Sequence, residues 1–131
     1  MNDAKSVRIM RSPLGRARGL GSAKSGVGHW WAQRLTAIAL LPLSLYFVLS
    51  VLLLDGANQA AMQRYMAEPW NGVLFLALIF ALFYHLRLGL QVVIEDYIHS
   101  DAKRLAALLA MRAGVIFFGL LAALSVLKLP F

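Results

Sequence analysis

Residues 73–85 read VLFLALIFALFYH, an apolar run that closes on the ionisable side chain of His85 and leads on to a polar end, Glu95-Asp96-Tyr97. A helix needs about 20 apolar residues to cross a bilayer, and this run with its flanks supplies them. Because an imidazole at that depth is costly in lipid, His85 is expected to have a partner. No second deep ligand stands out in the chain, so a metal or cofactor held at His85 would be shared with another polypeptide.

Two more apolar stretches flank this run. We predict three transmembrane helices, at residues 30–54, 71–94 and 105–127. The chain is 60% hydrophobic and has a mean hydropathy of +0.69, which is too apolar for a soluble domain of this size. We therefore predict one all-α membrane domain over residues 1–131, with lipid around it and no catalytic residues of its own. The chain contains no cysteine, which excludes iron–sulfur clusters and thiolate zinc sites within it.

The positive charge of the chain is concentrated before the first predicted span. The net charge is +7, and the tail carries Lys5, Arg8, Arg11, Arg16, Arg18 and Lys24. Cytoplasmic segments are rich in Lys and Arg, so residues 1–28 are expected to form a basic cytoplasmic tail, loop-like until a partner orders it, with the C-terminus outside. This bias explains the charge without nucleic-acid binding. The glycines of the tail make a poor amphipathic targeting helix, which favours a bacterial inner membrane over mitochondrial import.

Helical geometry places three features of the second span on one stripe. At about 100° per residue, Gly89 lies roughly 40° from His85 and Asp96 roughly 20° from it. Gly89 presents no side chain, so a flat ligand or a neighbouring helix can come close there. Asp96 lies about 16 Å further along, beside Tyr97, at the expected cytoplasmic interface. The stripe therefore joins a buried imidazole to a carboxylate and a phenol, groups that can hold a proton and donate a hydrogen bond to a carbonyl.

Imidazole is a common axial ligand of haem iron, and a six-coordinate haem needs two ligands, of which this chain offers one, His85. The alternative is a buried histidine that hydrogen-bonds to a neighbouring helix. Arg34, one turn into the first span, would reach haem propionates or a quinone carbonyl, or would snorkel to lipid phosphate. His29 would be interfacial or would make a functional contact. Arg87 and Glu95 have no assigned role.

Two segments carry a family resemblance. One is residues 29–38, HWWAQRLTAI, at the entry to the first span, and the other is His85-x-x-x-Gly89 followed by Asp96-Tyr97. Together with chain length, three spans and the expected topology, they make the chain similar to the hydrophobic membrane anchor subunits of succinate dehydrogenase (respiratory complex II), the D-type, haem b-binding anchors. The resemblance covers nearly all of the chain beyond residue 25.

The resemblance implies specific partners and roles. A flavoprotein with FAD and an iron–sulfur subunit would pass electrons to ubiquinone near the cytoplasmic face. A second anchor subunit of cytochrome b type would share haem b, with His85 as one axial ligand to the iron. Tyr97 would hydrogen-bond a ubiquinone carbonyl with Asp96 supporting proton delivery, and Arg34 and His29 would contact the haem propionates.

Other functions remain open from the residues alone. A small oligomeric transporter would use the intramembrane His85, Arg87 and Asp96 as a proton or ion relay. A structural membrane adaptor would need no cofactor. A fumarate reductase anchor would differ mainly in the physiological direction of the reaction and in the quinone used.

Overall fold

The computed structural model describes residues 12–17 and 26–129, and these residues form five α-helices in the order α1 Pro13–Ala17, α2 Gly26–Leu53, α3 Gln59–Ala67, α4 Pro69–Tyr97 and α5 Asp101–Lys128. The described part of the chain contains no strand. Three of the helices, α2, α4 and α5, are long and apolar enough to cross a membrane. The prediction of an all-α protein with three transmembrane helices is confirmed.

The three spanning helices are longer than the predicted spans. Helix α2 begins at Gly26, α4 runs from Pro69 to Tyr97, and α5 begins at Asp101. The difference has a simple cause, because hydropathy marks only the part of a helix that suits the hydrocarbon layer, whereas the helical hydrogen bonds continue into the polar ends.

The predicted loop conformation of the tail is wrong at two places. Pro13–Ala17 form the short helix α1, and residues 26–28 already belong to α2 despite two glycines. A glycine lowers helix propensity by only about 1 kcal/mol, which the long apolar helix that follows outweighs. Residues 1–11 and 18–25 of the tail lie outside the described residues.

The ends of the helices follow from local chemistry. Pro69 is the first residue of α4, where its missing N–H costs no hydrogen bond. Gly56 has φ +72° in the turn after α2, a conformation that glycine adopts without a steric penalty. The Asn58 side chain caps α3, and Ser100 stands at the cap position of α5, where its carbonyl accepts the Arg104 N–H at 2.8 Å.

Helix α4 is the centre of the bundle. It packs against α2, α5 and α3. Its residues Ala81 and Leu88 are buried, whereas most large apolar side chains of the described helices are exposed, for example Leu41 and Phe80. On the side of α5, a Cβ at Gly119 would lie 3.4 Å from a ring carbon of Phe83, so the small residue permits close approach of the two helices.

A polar cluster at one end of the bundle holds α3 against α2 and α4. The Tyr46 hydroxyl donates to Asn71 Oδ1 at 2.6 Å, and Asn71 Nδ2 donates to the Tyr65 carbonyl at 2.6 Å. The Tyr65 hydroxyl lies 2.8 Å from Ser50 Oγ and 3.0 Å from the Tyr46 hydroxyl. We call these four residues the α3 anchor. They join three helices through side chains that an apolar environment would otherwise leave unsatisfied.

Candidate functional site

His85 lies on the side of α4 that faces α2. Its Nδ1 is 2.9 Å from the Thr36 hydroxyl, and its Nε2 is 3.2 Å from the Gln33 side-chain nitrogen. All three side chains are half-buried. The imidazole therefore has the partner that its depth in the span predicts, and within this chain the partner comes from the first spanning helix.

The Thr36 contacts assign the protonated nitrogen of His85. The Thr36 hydroxyl has one proton, and it lies 2.8 Å from the Ala32 carbonyl and 3.1 Å from the Gln33 carbonyl, both of which can only accept. The Gln33 amide nitrogen, which can only donate, faces Nε2, so every contact is satisfied when the hydroxyl donates to its own helix and accepts from His85 Nδ1–H. In the neutral imidazole Nε2 then carries the lone pair, and the Gln33 amide donates to it.

The residues of α2 that face His85 lie on one stripe of the helix. Gln33 and Thr36 follow His29 by four and seven residues, which places all three within an arc of about 60° on the helix. His29 Nε2 and Gln33 Oε1 are buried and have no hydrogen-bond partner among the described residues. We call His29, Gln33, Thr36 and His85 the α2–α4 cluster. It offers more hydrogen-bonding capacity than the described part of the chain satisfies.

The stripe on α4 continues from His85 to Gly89. A Cβ built on Gly89 would lie 3.6 Å from the Gln33 nitrogen, which is an ordinary van der Waals contact. The absence of a side chain there keeps the space beside Gln33 open. His85 and Gly89 were predicted to share one stripe of the helix, and the Gln33 side chain of α2 lies beside both of them.

Arg34 stands apart from the α2–α4 cluster. Its guanidinium lies 5.3 Å from the ring centroid of Trp30, one turn earlier on α2, in a cation–π contact. Arg34 is exposed and lies about 100° around the helix from Gln33. Its described contacts do not bring it to His85.

Asp96 and Tyr97 are exposed at the end of α4, with 79% of Tyr97 accessible. Tyr97 lies about 18 Å along the helix from His85, so the two predicted sites are separate positions of one helix. Glu95 is engaged locally and accepts a hydrogen bond from Gln91 at 2.8 Å. The acid–phenol pair therefore points out of the chain, to a surface that this chain alone does not enclose.

Arg87 borders an apolar groove of about 310 Å³ between α4 and α5, and its Nε is buried without a partner among the described residues. The described residues also contain no group of three or more His, Cys, Asp or Glu side chains placed to hold a metal ion. The chain thus offers single donor atoms in its spans, chief among them His85 Nε2.

The chain is similar to known membrane subunits over most of its length. The family model described as succinate dehydrogenase/fumarate reductase transmembrane subunit matches residues 8–122. The hydrophobic membrane anchor subunit of succinate dehydrogenase from Rickettsia bellii is 35% identical over 102 residues, which are 78% of this chain and 82% of the relative. The membrane anchor subunit from Reclinomonas americana is 32% identical over 92 residues, which are 68% and 77% of the two chains. The Paracoccus denitrificans anchor subunit is 28% identical over 103 residues, which are 79% and 80%.

No solved structure matches the chain significantly. Three long apolar helices define a helical membrane protein. The chain belongs to the succinate dehydrogenase/fumarate reductase transmembrane subunit family. The prediction that it is a membrane anchor subunit of succinate dehydrogenase, a subunit without the catalytic centre of the complex, is confirmed.

Proposed function

We propose that this anchor subunit supplies His85 as one axial ligand to a haem b shared with a second anchor subunit of cytochrome b type. One observation carries the proposal: His85 Nδ1 lies 2.9 Å from the Thr36 hydroxyl, and with Nδ1–H donated to that oxygen the Nε2 lone pair is the donor atom for a metal. Histidine ligands of metals commonly have this arrangement, with one ring nitrogen held by a hydrogen bond and the other free to bind.

The residues of the α2–α4 cluster fit such a group. The Gln33 amide in front of Nε2 is the end of a flexible side chain, and its Oε1 has no partner among the described residues, so little is lost when it moves aside. His29 Nε2 is also buried without a partner in the described part of the chain. Gly89 leaves room beside Gln33 for a flat ligand. A buried polar atom without a partner among the described residues points to a group outside that part of the chain.

The residues have distinct tasks in this proposal. Bound haem b would accept and release one electron at a time. His85 would hold the iron, Thr36 would hold the imidazole, and His29 and Arg34 would contact the propionates, Arg34 after leaving its stacking position on Trp30. Gly89 would allow the porphyrin to approach the helix closely.

The quinone site is proposed for the end of α4 that carries Asp96 and Tyr97. A tyrosine hydroxyl can donate a hydrogen bond to a quinone carbonyl, and a neighbouring carboxylate can pass a proton to it. Both side chains are exposed, so they are available to a pocket completed by partner subunits. FAD and the iron–sulfur clusters would reside on the flavoprotein and iron–sulfur subunits, which would deliver electrons to ubiquinone here.

We place this end of α4 at the cytoplasmic face of a bacterial inner membrane. The start of α2, which the basic tail precedes in the sequence, lies at the same end of the bundle as the end of α4, which the Lys103-Arg104 pair follows. Cytoplasmic loops carry such an excess of Lys and Arg. Electrons from a cytoplasmic donor would therefore arrive on the side where Asp96 and Tyr97 lie.

The haem assignment is tested by a visible difference spectrum, dithionite-reduced minus air-oxidised, of the complex purified through a tag on this chain. We expect a b-type signal in the wild type and its loss or shift in His85→Leu. His99→Leu is the matched control, because His99 is exposed between α4 and α5 and away from the cluster. An unchanged haem signal in His85→Leu, or no haem in a complex that retains its partners, would contradict the assignment.

The quinone assignment is tested by two activities of the same complex. Tyr97→Phe should slow succinate-dependent ubiquinone reduction while succinate oxidation with an artificial acceptor stays normal. Where such a donor stabilises developing charge in an enzyme active site, its removal lowers the rate by about a hundredfold or more. Tyr84→Phe is the control, because Tyr84 lies on the same helix, stacked on Phe80 and more than three turns before Tyr97. A normal ubiquinone rate in Tyr97→Phe would exclude this role.

A further inference from the structure

We infer that Thr36 is a positioning residue for the axial ligand: its hydroxyl fixes the tautomer and the ring orientation of His85 and strengthens Nε2 as a donor to iron. The inference rests on the proposed function, because it needs His85 to bind haem. It assigns a role to a residue of α2 that lies 49 positions before the ligand in the sequence.

The other contacts of the Thr36 hydroxyl indicate the direction of its hydrogen bond with His85. The Thr36 hydroxyl is committed as a donor to the backbone of its own helix, at 2.8 Å from Ala32 and 3.1 Å from Gln33. With the hydroxyl proton on the backbone, its oxygen accepts from Nδ1–H, 2.9 Å away. The reverse tautomer would turn the hydroxyl away from its backbone carbonyls and would set Nε2–H against the Gln33 amide nitrogen, which is also a donor. The Thr36 and Gln33 contacts together therefore favour Nε2 as the nitrogen with the free lone pair.

This hydrogen bond has a consequence for the iron. An acceptor on Nδ1–H increases the electron density of the ring, so Nε2 becomes a more basic ligand. A more basic ligand favours the ferric state over the ferrous state, which lowers the reduction potential of the iron. Such hydrogen-bond partners typically contribute about 10- to 100-fold to metal affinity. A threonine hydroxyl is a neutral acceptor, so we expect the lower end of that range.

Two substitutions of Thr36 distinguish a positioning role from ordinary packing. Thr36→Val keeps the shape of the side chain but removes the acceptor, and Thr36→Ser keeps the acceptor but removes a methyl group. If Thr36 only packs α2 against α4, Val is the milder change. If Thr36 positions His85, Ser is the milder change. The two variants therefore rank in opposite order under the two explanations.

The experiment is a redox titration of haem b in the purified complex, followed by its visible and low-temperature electron paramagnetic resonance spectra. Thr36→Val should raise the midpoint potential, change the low-spin ferric signal and speed haem loss in detergent by about tenfold. If the complex binds ferric haem tenfold more weakly and ferrous haem equally well, the midpoint potential rises by about 59 mV. Thr36→Ser should stay near the wild type in all three measurements.

Ser44→Ala is the matched control. Ser44 is also on α2, and its hydroxyl donates to the Leu41 carbonyl of the same helix at 3.1 Å without reaching α4. If Thr36→Val does not assemble, Thr36→Cys takes its place under the same expectation, because sulfur is a weak acceptor.

The outcomes keep this inference apart from the proposed function. A wild-type complex without haem, or one whose haem survives His85→Leu unchanged, overturns both. A haem that depends on His85 but has the same potential, spectrum and retention in Thr36→Val overturns the role of Thr36 alone. An equal shift in Thr36→Ser and Thr36→Val also overturns it, because loss of the methyl group would then have the same effect as loss of the acceptor.

Discussion

Replacement of Asn71 by leucine should weaken the attachment of α3 to the bundle. Asn71 links two helices in the α3 anchor. Its Oδ1 accepts from the Tyr46 hydroxyl of α2, and its Nδ2 donates to the Tyr65 carbonyl of α3, each at 2.6 Å. Leucine has a similar size but can make neither bond. Both partners would be left half-buried, with no replacement among the described residues nearby.

The size of the effect follows from a count of protons. The Ser50 hydroxyl donates to the Tyr46 carbonyl and the Tyr46 hydroxyl donates to Asn71, so the Tyr65 hydroxyl has one proton for two acceptors. Tyr65→Phe therefore removes about one effective hydrogen bond, whereas Asn71→Leu removes two. Interhelical hydrogen bonds in membrane proteins average about 0.6 kcal/mol. Asn71→Leu should thus cost about 1.2 kcal/mol, twice as much as Tyr65→Phe.

Hydrogen exchange of the α3 amides measures this cost locally. These amides exchange when α3 opens, so the opening constant should rise about eightfold in Asn71→Leu and about threefold in Tyr65→Phe. Ser125→Ala is the control, since the Ser125 hydroxyl bonds only to the Leu121 carbonyl of its own helix. Wild-type exchange of α3 in Asn71→Leu, or a larger effect of Tyr65→Phe, would refute this account of the anchor.

Substitutions of glycine give further predictions. Gly119→Leu should destabilise the contact of α4 with α5 by about 1–3 kcal/mol, because even its Cβ would lie 3.4 Å from Phe83. Gly114→Leu is the control and should stay closer to the wild type in thermal denaturation of the complex, because no atom lies within 4 Å of a Cβ at that position. Gly56→Ala should cost about 1–2 kcal/mol, because φ is +72° there, and a wild-type denaturation midpoint would contradict the described turn.

The fold was largely accessible from the sequence, because it depends on quantities that are local in the chain. The length of each apolar run gives the number of spans, and Pro69, Gly56 and Ser100 mark ends that are set by backbone chemistry. The exact ends were less accessible. Helical hydrogen bonding extends beyond the hydrocarbon layer, so Tyr97 is still part of α4 although hydropathy ends the span earlier.

The candidate site was accessible only in part. His85 stands out because an imidazole is costly in lipid, but Gln33 and Thr36 do not, since a polar side chain one or two turns into a helix has many harmless explanations. The one available signal is their spacing of four and seven from His29, which places them on one face of α2. Whether that face meets His85 depends on how the two helices are rotated against each other. That rotation is a property of packing, and no local pattern encodes it.

Exposed apolar and buried polar atoms of this chain make different demands on their surroundings. Hydrocarbon can cover exposed side chains such as Leu41 and Phe80 at no cost, so their exposure by itself does not require a protein partner. It cannot satisfy His29 Nε2, Gln33 Oε1 or Arg87 Nε, which are buried and have no hydrogen-bond partner among the described residues. The unpartnered atoms therefore tell more about assembly than the apolar surface does. Two of the three lie in the α2–α4 cluster, which is the face where a second anchor and a shared cofactor are proposed.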